Sequence, residues 1–274
     1  KQVEVNQPDR YAIYEFLDGL PESEKNEIFE FNLPKIYFID IETEIVDGFP
    51  EAADVKDQDG NVTKEGASTQ VLSISIVYDD KIILLGLKEM PEDMQQRIKD
   101  NTNKYFEKFN KEWKIKYIKY NTEYDLVYTF IHKFMPKFPM LSGWNCINFD
   151  WKYIVNRCKR LQIDPAAASP TGTLTRDGLP YHIRIVDYMD LYANWDRSIS
   201  VKENSQLNTA AIQSVGVGKI KYDGGLQQLY DDDYQKYVYY NAVDSILVYL
   251  IDQKLKTLQV VLTLSNICKI SFYK

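Results

Sequence analysis

The stretch KIYFIDIETEIVDGF, residues 35–49, decides how the rest of the chain is read. Ile36, Tyr37, Phe38, Ile39 and Ile41 make an apolar, β-branched and aromatic run of the kind that fills a buried strand. Asp40 and Glu42 interrupt it. Residues two apart on a strand point to the same face, so two carboxylates lie side by side, where the charge of one raises the pKa of the other. Either the strand end emerges into solvent, or a positive charge sits between the two acids.

Composition narrows the chemistry. The chain has 274 residues, enough for one large domain or one domain with appendages, and is 45% hydrophobic and 27% charged. No apolar run approaches the roughly 18 residues of a membrane span, and no signal peptide precedes the polar opening at Lys1. The missing initiator Met suggests a piece of a longer protein. Cys146, Cys158 and Cys268 form no CxxC pair, which argues against a disulfide framework and for a reducing, cytoplasmic compartment. With only His132 and His182, zinc sites and His-based triads have little material. Catalysis must therefore lean on carboxylates, tyrosines and lysines. A net charge of −7 argues against a protein that coats duplex DNA, and the basic runs at 111–120 and 152–160 read as solvated faces.

The pattern predicts an α/β sheet with helices on its faces. Residues 1–33 read as a short acidic helical lead-in, ended by Leu33-Pro34. The polar stretch 46–69 reads as a loop or exposed hairpin, and Asp57-Gln58-Asp59-Gly60-Asn61 as a turn, since Val55 spoils a calcium loop. Strands are predicted at 69–78 and 81–87 around an Asp79-Asp80 turn, with an edge strand at 115–120. Asn121-Thr122 caps a helix with Leu126, Val127, Phe130, Ile131 and Phe134 on one face, ended by Pro136 and Pro139. A short buried strand at 140–145 and a helix at 149–161 follow. Residues 164–180 read as a loop, 181–192 as a strand running into a helix, 205–214 as a helix stopped by Gly216 and Gly218, and 231–264 as helix-prone, with no internal Gly or Pro.

Three acidic positions change the reading of the first strand when taken together. Asp40-Ile41-Glu42 ends a strand; Asp150, in GWNCINFDWKYI, opens a helix just after a strand; Asp244, in YYNAVDSILVYL, lies within a helix with Tyr240 one turn earlier on the same face. Separately, Asp150 reads equally well as an acid favoured near a helix N-terminus, and Asp244 as a residue facing water. The joint order, DxE, then NxxxFD, then YNxxD, resembles the three motifs of the DEDDy 3′→5′ exonucleases, and most closely the proofreading domain of bacteriophage family B DNA polymerases. The segments at 186–192, 217–224, 235–252 and 260–272 extend the resemblance over about residues 35–270.

That resemblance implies an RNase H-like mixed sheet with flanking helices, with the exonuclease domain at 34–250. Residues 1–33 would be a remnant of an upstream domain, and 251–274 a helix leading towards a polymerase domain whose motifs this chain lacks. It implies two Mg²⁺ ions, with Mn²⁺ as a substitute, about 4 Å apart. Asp40 would bridge them with Glu42 beside it, Asp244 would complete the site that activates water, and Asp150 would support the second ion. Tyr240 would orient the attacking water. Asn145, Phe149, Trp144 and Thr43 are the candidate substrate contacts, although Phe149 and Trp144 read equally as packing beneath the site; Lys219 and Lys221 would meet phosphates. The implied partners are the single-stranded 3′ end of a DNA primer and the polymerase domains of the parent chain, with no membrane, in a monomer. If the source is a phage, the host cytoplasm is the setting. Compared with the family, the 50–69 loop looks long and the 162–185 segment short. The rivals are a free-standing DEDDy nuclease acting on RNA and a catalytically silent nucleic-acid-binding module.

Overall fold

The computed structural model describes residues 15–16, 18–29, 34–46, 48–195 and 206–268. It divides into a unit spanning Lys35–Leu255 and another made of Lys1–Pro34 with Lys256–Lys274. Much of the predicted lead-in, and the tail beyond residue 268, lie outside the described residues. Within the lead-in, Glu22–Phe29 forms helix α1.

The larger unit is built on β1 (Ile36–Thr43), to which an exposed hairpin, β2 (Val55–Lys56) with β3 (Val62–Lys64), is appended in the following loop. Strands β4 (Val71–Tyr78), β5 (Lys81–Gly86), β6 (Lys114–Lys119), β7 (Met140–Gly143) and β8 (Arg184–Asp187) complete a six-stranded mixed sheet in the order β6-β5-β4-β1-β7-β8. β1 pairs antiparallel with β4 and parallel with β7. The Asp79-Asp80 turn is present, with Tyr78 paired to Lys81 and Asp79 at φ +51°. The lysine-bearing β6 is an edge strand, as its alternation predicts.

Alternation along β1 and β4 assigns the two faces of the sheet. Ile39, Ile41, Ile74 and Ile76 join one apolar core with Leu126, Val127, Phe130, Ile131, Tyr153, Ile154 and Cys158. Those residues come from α3 (Glu123–Thr129), the π-helical turn after it, and α4 (Lys152–Arg160). The opposite face carries Phe38, Asp40 and Glu42, with Ser75 and Ser73 directly across from the two acids on β4. The long helix α8 (Tyr234–Leu255) covers that face. At one end Phe38 meets Tyr249 edge-on, with ring centroids 5.7 Å apart. Further along, Ser75 bonds Ser245 and the Asn241 carbonyl. The interface thus turns from apolar to polar where the acids lie.

Helix α2 (Glu92–Tyr105) has no counterpart in the sequence reading. Only Ile98 and Thr102 in it are fully buried, too narrow a stripe to announce a helix. α5 (Tyr188–Trp195) and α6 (Leu207–Val215) follow β8, and Gly216, at φ +67°, caps α6 as predicted. The segment predicted to be helix-prone, 231–264, is helical: it takes in the end of α7 (Leu226–Asp232), all of α8 and most of α9 (Thr257–Cys268). Asp233 accepts a hydrogen bond from the Lys236 N–H (3.0 Å), a side-chain cap that starts α8. Lys256 takes up a left-handed φ of +57° between α8 and α9. The helix predicted from residue 149 starts with a π-helical turn, Ile147–Trp151. Among the described residues no helix is long and apolar enough to cross a membrane.

Candidate active site

Three elements deliver the four acids and the tyrosine. β1 supplies Asp40 and Glu42, the π-helical turn supplies Asp150, and α8 supplies Tyr240 and Asp244. A bulge falls between Glu42 and Thr43, a common device for re-aiming side chains beside a site. One carboxylate oxygen each from Asp40, Glu42 and Asp244 lies within 4.8 Å of the others. Neither Asp150 nor Asp244 faces water: each is 3% exposed. Asp150 sits behind the trio, its Oδ1 accepting the Ile41 N–H (2.8 Å) from the residue between the two β1 acids.

The electrostatics are those of a site short of positive charge. Burial raises the Asp40 pKa well above the usual carboxylate range, and the charges of Glu42, Asp150 and Asp244 add to it. Burial and Asp244 push Glu42 up to about 8. Asp150 is pushed up to about 7 by burial, with the Ile41 N–H pulling the other way. Asp244 is also raised by burial, partly offset by Lys219, whose Nζ lies 2.6 Å from Asp244 Oδ2. Lys219 also donates to the Tyr240 hydroxyl (3.2 Å). Burial and the Asp244 charge raise the Tyr240 pKa, so its phenol stays protonated at neutral pH.

Lys219 is therefore placed on a carboxylate, where the sequence reading had it meeting a phosphate. Lys221 is exposed. Two further features were missed. Asn241, fully buried, donates from Nδ2 to Asp40 Oδ2 (2.7 Å), while its own Oδ1 accepts the Ser73 hydroxyl (3.1 Å). Nδ2 also donates to the Asp40 backbone carbonyl (3.4 Å), which can only accept and so fixes which way the amide points. Tyr222 stands edge-on to Tyr240, with centroids 5.2 Å apart. Both lie in segments quoted for the resemblance, but their contacts are tertiary and leave no sequence pattern.

The candidate substrate contacts cluster where β7 ends. A Cβ on Gly143 would come within 2.6 Å of the Ile39 carbonyl, so only glycine lets β7 run this close to β1. Asn145 follows in a left-handed conformation at φ +60°. Asp187, at the end of β8, holds the turn by accepting the N–H groups of Asn145 (2.9 Å) and Ile147 (3.1 Å). Trp144 packs on Tyr192, centroids 5.7 Å apart. Phe149 packs against Tyr153 and Phe49, with ring centroids 5.7 and 5.2 Å away. Phe49 itself is 65% exposed and was not singled out from the sequence. Thr43 is buried beside the bulge.

Comparison with known proteins agrees with this geometry. Residues 15–209 match the family described as DNA polymerase family B, exonuclease domain. The DNA-directed DNA polymerase of Escherichia phage RB69 is 28% identical over 171 residues, which cover 57% of this chain and 19% of that polymerase. The DNA-directed DNA polymerase of Enterobacteria phage T4 is 28% identical over 174 residues, with the same two coverages. The chain thus matches about a fifth of the length of these relatives. It belongs to the exonuclease-domain family of the family B DNA polymerases.

Proposed function

We propose that this domain removes nucleotides one at a time from the 3′ end of single-stranded DNA, as the editing part of a family B polymerase. The observation that carries the reading is the meeting of Asp40, Glu42 and Asp244 oxygens within 4.8 Å, beside a buried Asp244 Oδ1 that finds no hydrogen-bond partner among the described residues. An all-oxygen donor set of this kind suits Mg²⁺, with Mn²⁺ as a substitute. Asp40, Glu42, Asp150 and Asp244 would hold two such ions, which when bound supply Lewis-acid activation of water and charge stabilisation of the leaving oxygen. Four carboxylates and the Lys219 ammonium sum to −3, so two divalent cations and one phosphodiester charge bring the total to zero. Residues 34–250 would form the nuclease domain, with 1–33 and 251–274 leading to upstream and polymerase domains of the parent chain, in the cytoplasm of its host.

The residues themselves divide the work. Tyr240, a protonated phenol held by Lys219, donates a hydrogen bond that orients the water. Phe149 and the exposed Phe49 offer aromatic faces on which unpaired bases stack. Asn145, whose carboxamide makes no hydrogen bond among the described residues, is placed to bond the terminal nucleotide, with Trp144 and Thr43 shaping the pocket behind it. A mispaired primer end unstacks more readily and reaches such a site first.

The test is a time course on 5′-labelled and 3′-labelled strands, each made as DNA and as RNA. A ladder shortening from the 3′ end on DNA, with the 3′ label released first as a mononucleotide, supports the reading. Preference for RNA, or internal cuts, contradicts it.

Three smaller effects follow from the geometry. Tyr240→Phe is expected to slow turnover by roughly 10- to 100-fold with an unchanged Mn²⁺ midpoint; equal loss of metal affinity and rate would contradict an orienting role. Asn241→Ala frees Asp40 Oδ2 and is expected to weaken metal binding by roughly 10- to 100-fold, read as the Mn²⁺ midpoint in calorimetry. The third concerns pH. The folded pKa values of Glu42 and Asp150 lie above their unfolded ones, so the EDTA-treated protein holds extra protons when folded. The associated stability is complete below about pH 4, where both states are protonated, and is lost as pH rises through about 7 to 8. Each such proton is worth at most about 1.4 kcal/mol per pH unit. The metal-free melting temperature should fall from pH 5 to 8.5, and Mg²⁺ should restore it at the upper end, where it displaces no protons. A flat metal-free profile would count against four acids crowded in one site.

A further inference from the structure

A cleft of about 810 Å³ lies between α2, residues 220–221 and the first turns of α8. Its walls carry Arg97, Lys104, Lys221 and Lys236 against two acids, Glu107 and Asp233. One Asp233 oxygen is already bonded to the Lys236 N–H (3.0 Å), and Arg97 is paired with Asp93 (3.2 Å). Lys104, Lys221 and Lys236 form no ion pair among the described residues. In a chain of net charge −7, such a concentration of unpaired ammonium groups is a local field that attracts anions.

Two aromatic side chains complete the walls. The Tyr105 hydroxyl donates to the Gly218 carbonyl (3.0 Å) and the Tyr239 hydroxyl to the Asn101 carbonyl (3.4 Å), so both rings are tied to the walls by their polar ends. Ammonium groups beside fixed aromatic faces suit a phosphate carrying a planar base. The volume falls within the usual range for small-molecule sites, roughly 300–1,000 Å³.

The cleft is joined to the catalytic centre through two stretches of chain. Lys221 follows Lys219, which holds Asp244 and Tyr240, by two residues, and Tyr239 is the immediate neighbour of Tyr240. We propose that this cleft is a second nucleotide site. It binds a nucleoside monophosphate unit with its phosphate among Lys104, Lys221 and Lys236 and its base against Tyr239 or Tyr105. The unit is either a free nucleotide or one residue of a DNA strand; the strand source rests on the exonuclease reading, whereas the free-nucleotide source does not.

The test uses the whole chain in EDTA, so that neither metal binding nor hydrolysis contributes. Wild type and Lys104→Glu/Lys236→Glu are titrated with 5′-dAMP, inorganic phosphate and a fluorescein-labelled dT oligomer, with melting temperatures as the check on folding. The double variant is expected to lose about tenfold or more in affinity, with a shallower salt dependence. Loss of dAMP binding identifies the free nucleotide as occupant, and loss confined to the oligomer identifies the strand. Equal affinity of a folded double variant and wild type for all three probes overturns the proposal. So does phosphate binding as tight as dAMP, because the base then contributes nothing. Because no arm depends on cleavage, a chain that fails as a nuclease still gives a clear result here.

Discussion

Replacing Asp40 by asparagine is expected to lower the rate of 3′-end hydrolysis by about 10³-fold or more, while leaving the metal-free protein folded and more stable at pH 8 than wild type. The activity loss follows from the position of the side chain. Asp40 supplies one oxygen of the trio with Glu42 and Asp244, and losing its charge removes several kcal/mol of the electrostatic stabilisation that divalent ions would provide there. The stability gain follows from the same crowding. Asp40 is half-buried beside three other carboxylates, each of which opposes its ionisation. The asparagine keeps an oxygen to accept the Asn241 amide, so shape and hydrogen bonding survive while the repulsion is gone. Measuring rate and metal-free melting temperature on one preparation separates a lost ligand from a lost fold. Lower activity with lower metal-free stability would mean that Asp40 is a structural acid.

Glu123→Ala is expected to cost about 3–5 kcal/mol of stability. Glu123 opens α3 and accepts a two-pronged ion pair from Arg157 of α4, with Nε–Oε1 and Nη2–Oε2 both at 2.7 Å. The same Oε1 accepts the Val71 N–H (2.7 Å), which fixes the start of β4. Both side chains of the pair are shielded, at 12% and 7% exposure, so the alanine strands a half-buried guanidinium and a buried N–H together. Arg157 keeps its bonds to the Ala67 and Ser68 carbonyls, which is why the loss stays finite. At about 2–4 °C per kcal/mol, the melting temperature should drop by roughly 10 °C. Glu123→Gln, which retains an acceptor for Val71, should lose less. A loss below about 1 kcal/mol for the alanine variant would place the pair with ordinary surface ion pairs.

What the sequence disclosed, and what it hid, has a physical pattern. β1, β4 and β5 were legible because their apolar runs are bounded by turn formers. α3 was legible because Thr122 accepts the Asp125 N–H (3.1 Å), as a capping residue should. The order of the acids was legible because motif spacing survives in the linear chain. α2 was not, since its partners lie across the fold and its own stripe is two residues wide. The π-helical turn that carries Asp150 has the same residue preferences as the helix expected there, so composition could not separate them. The breaks at Asp233 and Lys256 involve residues that also sit well inside helices. The contacts of Lys219 and Asn241 depend on α8 lying over β1 and β4, and no local pattern encodes that.

These contacts also explain why strongly perturbed acids persist in a stable domain. Asn241, itself steadied by Ser73, holds Asp40, the Ile41 N–H holds Asp150, and Lys219 holds Asp244. Each holds one oxygen of a carboxylate and leaves another for a ligand. The site is rigid before any ion arrives, which is how donor groups are kept within reach of productive geometry.

The most direct measurement is a gel time course on 5′-labelled single-stranded DNA, with wild type and Asp40→Asn each assayed in Mg²⁺ and in EDTA. The expected result is a ladder shortening from the 3′ end only for wild type in Mg²⁺. Degradation that persists in EDTA, or that Asp40→Asn carries out at the wild-type rate, would contradict a carboxylate-held metal site.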